Sequence, residues 1–169
     1  MLRIGVKLPP LITQLGEFVA DVSALEAAGA DSIWLDAAAE PRVEWFIELG
    51  TLVAVTRRVG LGLIASPPAS DELTAALDAI HALSGGRGLG AHRSGSMLQV
   101  AAGRWPAGDA ESWAEDEAGK DRAAWRQVLQ HHSISGRAGL VVAWDPRIVD
   151  LLRNSDAEDD RSDLLISTG

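Results

Sequence analysis

Short apolar runs alternate with longer segments of helical period over the first ninety residues. The apolar runs are residues 3–8, 32–35, 59–64 and 87–91. Between them, apolar residues recur every three or four positions, which indicates helices with one buried face. Strand and helix in this order with short links predict right-handed βαβ units around a parallel sheet. The runs lack polar alternation, as expected of strands that are covered on both faces.

The second half of the chain is less regular. Residues 92–108 are rich in Gly, Ser and Ala, and they are predicted to form a loop with one short strand at 97–101. Asp109 is predicted to begin a long polar helix that runs to about Gln130. The segment 140–144 is the clearest strand of this half.

The end of the chain completes the predicted alternation. Asp145-Pro146 is predicted to open a helix, with Asp as N-cap and Pro in the first turn. The acidic segment 156–160 is predicted to be a solvated loop, and residues 163–166 form a last apolar run. The total is five βα units and the start of a sixth, in a single domain over residues 1–169.

Composition and charge exclude several classes of function. The chain has no Cys, which removes disulfide scaffolds, thiolate zinc sites and cysteine nucleophiles. Its net charge of −9 argues against nucleic acid and anionic membrane as partners. No apolar stretch is long enough to span a bilayer, and the first residues lack the pattern of a signal peptide. We therefore expect a cytoplasmic protein.

The candidate ligand-binding residues lie where the predicted parallel strands end. Asp36 ends the second strand, Ser66 with Pro67-Pro68 ends the third, and His92 follows the fourth. Sites of α/β proteins form at these carboxyl ends, so each residue is a candidate ligand contact. Each also has a plain structural interpretation, such as a turn cap for Asp36. His131-His132 is interpreted as a solvated pair rather than a metal site, and no metal is predicted.

The aromatic and glycine residues have two interpretations as well. Six Trp residues either pack the core or form a wall for a planar ligand. The glycine cluster at 85–90 lacks the spacing of a dinucleotide or phosphate loop, and close backbone packing explains it better.

Four segments in order resemble the bacterial luciferase-like superfamily of flavin- and deazaflavin-dependent oxidoreductases. They are Arg3–Pro9 (RIGVKLP), Leu25–Leu35 (LEAAGADSIWL), Ala54–Gly62 (AVTRRVGLG) and Leu83–Arg87 (LSGGR). The resemblance covers residues 1–90 and is weak beyond. It implies a TIM-barrel-like α/β fold, here shortened to about five or six βα units. Because five or six strands do not close an eight-stranded barrel, we expect open sheet edges.

The resemblance also implies a function and its residues. It implies an oxidoreductase or monooxygenase that uses FMN or a deazaflavin coenzyme and acts on a small molecule. The predicted cofactor-binding positions are Asp36, Ile64, Ala65, Ser66, His92 and Arg147. The resemblance implies all of them except Ser66, which is included for its place at a strand end, and it sets Ile64 and Ala65 at a strained bulge behind the ring. Catalytic residues are not identified.

Departures from the family pattern keep a second hypothesis open. Asp36 is followed by Ala37-Ala38-Ala39, where the family often has His, and Asp145 replaces a small glycine near the implied phosphate. The alternative is a non-catalytic binding or assembly module with the same fold. Either protein is expected to be a homodimer through its early helices, which carry Trp45, Phe46 and Leu49. An unrelated barrel enzyme acting on an anionic metabolite ranks last.

Overall fold

The structure is a computed structural model that describes residues 1–9, 14–37 and 43–154, with the backbone alone for residues 43–46. Within these ranges the chain forms seven strands and five helices. The strands are β1 (Arg3–Lys7), β2 (Ser32–Asp36), β3 (Gly60–Ala65), β4 (Gly88–Ser94), β5 (Met97–Ala102), β6 (Glu111–Asp116) and β7 (Gly139–Ala143). The helices are α1 (Leu15–Ala28), α2 (Val43–Val55), α3 (Asp71–Leu83), α4 (Arg122–Ile134) and α5 (Arg147–Arg153).

The seven strands form one closed barrel in sequence order. Strands β1 to β4 pair in parallel, as the alternating pattern predicts. Strands β4, β5 and β6 then form two antiparallel pairs. Strand β7 is parallel to both β6 and β1, and Arg3 lies opposite Gly139 where the barrel closes.

The predicted shortened TIM-barrel fold with open edges is wrong. After β4 the chain turns back at Gly95, whose φ is +61°, and β5 and β6 follow with no helix between them. These two strands fill the gap that the absent βα units would leave. Because β7 then reaches β1, the described strands have no open edge for a helix or a second subunit to cover.

The predicted helix from Asp109 to Gln130 is also wrong. Residues Glu111–Asp116 form β6, and a shorter helix, α4, starts only after Asp121. The Asp121 side chain accepts a hydrogen bond from the Ala124 N–H and so caps α4. Glu111, Trp113 and Glu115 occupy alternate positions on β6. Two of these three side chains are charged and lie near the ends of the barrel, so the segment lacks the apolar alternation that indicates a strand.

The middle of the barrel interior is filled by apolar side chains. Trp34 and Trp113 are fully buried there and meet edge to face, with ring centroids 5.7 Å apart. Around them lie the smaller apolar residues Ile64, Ala91, Leu98, Val100 and Val141. Three glycines give the indoles their space, because a Cβ on any of them would lie within 2.5 Å of an indole atom; they are Gly5, Gly62 and Gly139.

The helices cover the outside of the barrel through apolar faces, and the face of α1 is the one predicted. Helix α1 buries Phe18, Val22 and Leu25, and it ends at Gly29 with φ at +94°, as predicted. Leu49 of α2 is buried in the same core, so it does not contribute to a dimer surface. Trp45, Phe46 and the segments 156–160 and 163–166 lie outside the residues whose side chains are described. No helix within the described ranges has the length and apolar character needed to cross a bilayer.

Candidate functional site

Four charged side chains meet at the carboxyl-terminal mouth of the barrel. Arg93 donates to Asp36 Oδ2 at 2.6 Å and to the two oxygens of Glu115 at 2.8 and 3.1 Å. Lys7 Nζ donates to Glu115 and lies 3.9 Å from Asp36 Oδ2. We call these residues the mouth quartet.

The strand pattern explains why these four side chains meet. Side chains alternate along a strand, so Trp34 and Asp36 share one face of β2, and Trp113 and Glu115 share one face of β6. Since the two Trp residues fill the interior, each carboxylate lies one step nearer the mouth. Arg93 follows the interior residue Ala91 on β4 by the same rule.

The mouth quartet balances its own charge. Its side chains are 17–26% exposed, and two cations face two carboxylates. Burial alone would lower the pKa of Arg93, but its hydrogen bonds with Asp36 and Glu115 outweigh burial and raise the pKa. The guanidinium is therefore charged at any physiological pH, and the arrangement serves ion pairing better than proton transfer.

His92 lies on the opposite face of β4 and points away from the interior. Its ring stacks on Trp105 with the planes 9° apart and centroids separated by 5.4 Å. Gly90 makes this approach possible, since the Arg104 carbonyl passes over it where a Cβ would lie 2.4 Å from that oxygen. Trp105 also packs on a small apolar cluster that includes Ala65 and Leu73.

Two ring nitrogens of this stacked pair are buried polar atoms. His92 Nε2 and Trp105 Nε1 are both buried and unpartnered within the residues that the structure describes. Burial also lowers the pKa of His92, which keeps its imidazole neutral near pH 7. A neutral imidazole and an indole N–H can together offer a donor and an acceptor to a planar polar ligand.

The structure separates the sequence-predicted residues into two neighbouring groups. Asp36 belongs to the mouth quartet, inside the barrel. Ala65 and His92 are register partners on the outer face, and Ser66 follows Ala65 and is exposed. All four lie near the carboxyl ends of β2, β3 and β4, but they face two sides of the sheet.

Ile64 and Arg147 lie apart from these groups. Ile64 is fully buried inside the barrel within the tryptophan layer. Strand β3 keeps unbroken register with both neighbours, so the implied bulge at Ile64 and Ala65 is not seen. Arg147 forms an ion pair with Asp145 at the start of α5, and both side chains are exposed in part.

The residues fit a flavin or deazaflavin only in part. The unpartnered nitrogens of His92 and Trp105 fit the polar edge of a ring system. Ile64 cannot back a ring at the barrel rim, because the tryptophan layer encloses it. Asp145 places a carboxylate beside Arg147, where a phosphate would need a free cation. We therefore derive no redox step through such a group.

Three of the four segments that carry the family resemblance, 25–35, 54–62 and 83–87, bind one another at the opposite end of the barrel. The Glu26 carboxylate accepts hydrogen bonds from the backbone N–H groups of Arg57, Arg58 and Val59. The Arg87 guanidinium donates to Thr56 and to the Val59 carbonyl. These motif residues therefore hold the start of β3 in place and take no part in the candidate site.

A further His–Asp pair links α4 to β6. His132 is 8% exposed, and its Nε2 lies 2.9 Å from Asp116 Oδ2, so the prediction of a solvated pair is wrong for His132. Burial alone would raise the pKa of Asp116, but hydrogen bonds from His132 and the Glu117 N–H lower it. Among the described residues, no three His, Asp or Glu side chains are arranged to hold a metal ion.

Sequence reasoning missed the other three members of the mouth quartet, Lys7, Arg93 and Glu115. Lys7 and Arg93 were recognisable from alternation, because each stands two residues after an interior position on its strand. Glu115 gave no such signal, since its segment was predicted to be helical. Trp105 fell in a predicted loop, and only the fold brings it to His92.

Comparison of the chain with models of known protein families and with curated protein sequences finds no match.

Proposed function

We propose that the protein binds the planar ring of a flavin or deazaflavin at the stacked pair of His92 and Trp105 and serves as an oxidoreductase. The observation that carries the proposal is that these two buried ring nitrogens have no partner in the described part of the chain. Buried polar groups are normally hydrogen-bonded, so two adjacent exceptions favour a missing ligand. Such a coenzyme supplies hydride transfer when bound, and the protein supplies binding and orientation.

The residues around the stacked pair have defined roles in this proposal. The Trp105 indole donates a hydrogen bond to a ring oxygen or nitrogen, and the neutral His92 imidazole orients the same edge. The mouth quartet lies on the other side of the sheet at the same end, where its two cations and two carboxylates balance each other. A small-molecule substrate would enter beside Ser66, which is exposed.

Titration with FMN and with a deazaflavin coenzyme, followed by visible absorbance and by quenching of ligand fluorescence, tests the proposal. Loss of one hydrogen bond weakens binding by roughly tenfold, so we expect that loss in Trp105→Phe and in His92→Gln. His131→Gln changes an exposed histidine outside the site and serves as the matched control. No spectral change at high micromolar coenzyme would refute the proposal.

The second candidate is a non-catalytic dimeric module. The observation that favours it is the mouth quartet, in which Asp36 is already bound by Arg93 and Lys7. Ile47 of α2 is 61% exposed and offers an apolar position on the early helices. The protein should then be colourless, and light scattering should show a dimer that Ile47→Glu dissociates. A monomer at about 100 μM would exclude the dimeric module.

A cytoplasmic location remains part of both proposals, and cell fractionation tests it.

A further inference from the structure

A large cavity lies beside the amino ends of β1 and β2, away from the candidate site. Its volume is about 820 Å³, within the range of roughly 300–1,000 Å³ typical of small-molecule pockets. Helix α4 supplies one wall through Trp125, Leu129 and Ser133, which are four residues apart and share a helix face. Leu2 and Leu152 add apolar surface from the chain start and from α5.

Trp125 contributes a hydrogen-bond donor, its indole N–H, to the wall of this cavity. The side chain is 1% exposed, and its Nε1 has no hydrogen-bond partner within the described part of the chain. The Trp125 backbone is fixed in the first turn of α4, where its N–H donates to the Asp121 carbonyl at 2.9 Å. An indole N–H only donates, so a ligand group that pairs with it must offer an acceptor. Nε1 itself has almost no accessible surface, so this pairing requires a small movement of the indole toward the cavity.

Asp31 and Arg126 give the cavity wall groups of both charge signs. The Asp31 carboxylate accepts the Ile4 N–H at 2.7 Å, which holds it in place. Because these two charges oppose each other, a ligand without net charge suits the cavity better than an anion or a cation. An ammonium group would be attracted to Asp31 but has no acceptor for Trp125.

We infer that this cavity is a second binding site, for a neutral small molecule with an apolar body and a carbonyl acceptor that bonds to Trp125 Nε1. Amides, esters and ketones on an aliphatic or aromatic frame belong to this class. The site is independent of the proposed coenzyme site, because it lies at the other end of the barrel and shares no residue with it.

Two probes that share the same hydrocarbon chain test the inference on the ¹⁵N-labelled protein. Octanamide carries a carbonyl acceptor, and octylammonium carries donors alone. We expect octanamide to shift the Trp125 indole N–H signal downfield, with the signal assigned through Trp125→Phe. Octylammonium should bind at least about tenfold more weakly. Equal binding of the two probes, or no binding at millimolar octanamide, would overturn the inference.

Variants separate this site from general apolar binding. Trp125→Phe keeps most of the packing and should weaken octanamide binding about tenfold, while Trp105→Phe should leave it unchanged. Ser133→Trp fills the cavity from an exposed position and should abolish binding, which keeps the test valid if Trp125→Phe fails to fold. Binding that survives Ser133→Trp would contradict the assignment. A double variant, Leu164→Asp with Leu165→Asp, gives a second check. If octanamide binds only to this variant, residues of the chain itself occupy the cavity in the wild type, and the assignment is contradicted.

Discussion

Trp34 and Trp113 come from strands on different sides of the barrel and meet edge to face at its centre, with 5.7 Å between their ring centroids. The edge-to-face arrangement is favourable for aromatic pairs. It leaves no space for a Cβ at Gly62, where the nearest indole carbon would be 2.1 Å away. The interior therefore depends on glycine as much as on tryptophan.

Gly62→Ala is expected to lower the free energy of unfolding by about 2–3 kcal/mol, because the added methyl group overlaps the Trp34 ring. Urea denaturation measures this change. Gly50→Ala is the matched control: nothing lies within 4 Å of its Cβ, and alanine should raise the stability of α2 by about 0.5–1 kcal/mol. Similar effects from the two substitutions would show that the interior is looser than described.

Glu26→Gln is expected to destabilise the protein at neutral pH by about 1–2 kcal/mol, because three backbone N–H groups lose a charged acceptor. Burial alone would raise the pKa of Glu26, but these hydrogen bonds lower it below its ordinary value. A carboxyl with a lowered folded pKa stabilises the fold above its unfolded pKa, about 4.3. That stabilisation is lost as pH falls through the folded pKa.

The difference in free energy of unfolding between the wild type and Glu26→Gln should therefore be largest above pH 5 and become smaller at lower pH. Denaturation curves at several pH values measure it. Glu17→Gln, at an exposed position in the first turn of α1, controls for the general effect of removing a carboxylate. A difference that does not change between pH 7 and pH 3 would mean that the Glu26 charge is unimportant.

The ion pair of Asp36 and Arg93 should show real coupling in a double-mutant cycle of Asp36→Asn and Arg93→Met. We expect about 1–3 kcal/mol, because both side chains are about three-quarters buried. Partly buried pairs are screened little, so most of the coupling should survive in 1 M NaCl. The exposed pair Arg104–Asp109 has a similar distance and should give less than about 0.5 kcal/mol. Equal coupling in both cycles would rule out a special role for the mouth quartet.

Arg87→Lys should cost about 2 kcal/mol of stability despite keeping the charge. The Arg87 guanidinium donates to the Thr56 hydroxyl and carbonyl and to the Val59 carbonyl, and a single ammonium cannot reach all of them. Arg153→Lys, at an exposed position near the end of α5, should change stability by less than about 0.5 kcal/mol. Thermal denaturation followed by circular dichroism compares them, and a neutral Arg87→Lys would show that Arg87 acts through charge alone.

Local pattern was enough to predict the first half of the fold. The helical spacing of Phe18, Val22 and Leu25 and the stop at Gly29 depend on residues close in sequence, and they appear as predicted. Barrel closure depends on pairing between β1 and β7, which no local pattern reports. Strand β6 was missed because Glu111 and Glu115 point inward and find their partners, Arg3 and Arg93, only in the folded chain.

The candidate site was predicted by position but not by orientation. Asp36 and His92 were expected together because both follow parallel strands. Side chains alternate between the two faces along each strand, and Asp36 and His92 occupy positions that face opposite sides of the sheet. The family resemblance likewise included Glu26 and Arg87 without showing that they bind one short segment.

Pairing of the first strand with the last has a consequence for synthesis on the ribosome. Arg3 emerges early, but its register partner Gly139 is among the last residues of the described barrel to leave the exit tunnel. Until then β1 keeps one side of its backbone hydrogen bonds unmatched, and the nascent chain holds an unfinished sheet. Emergence of β7 is thus the event that completes the cylinder.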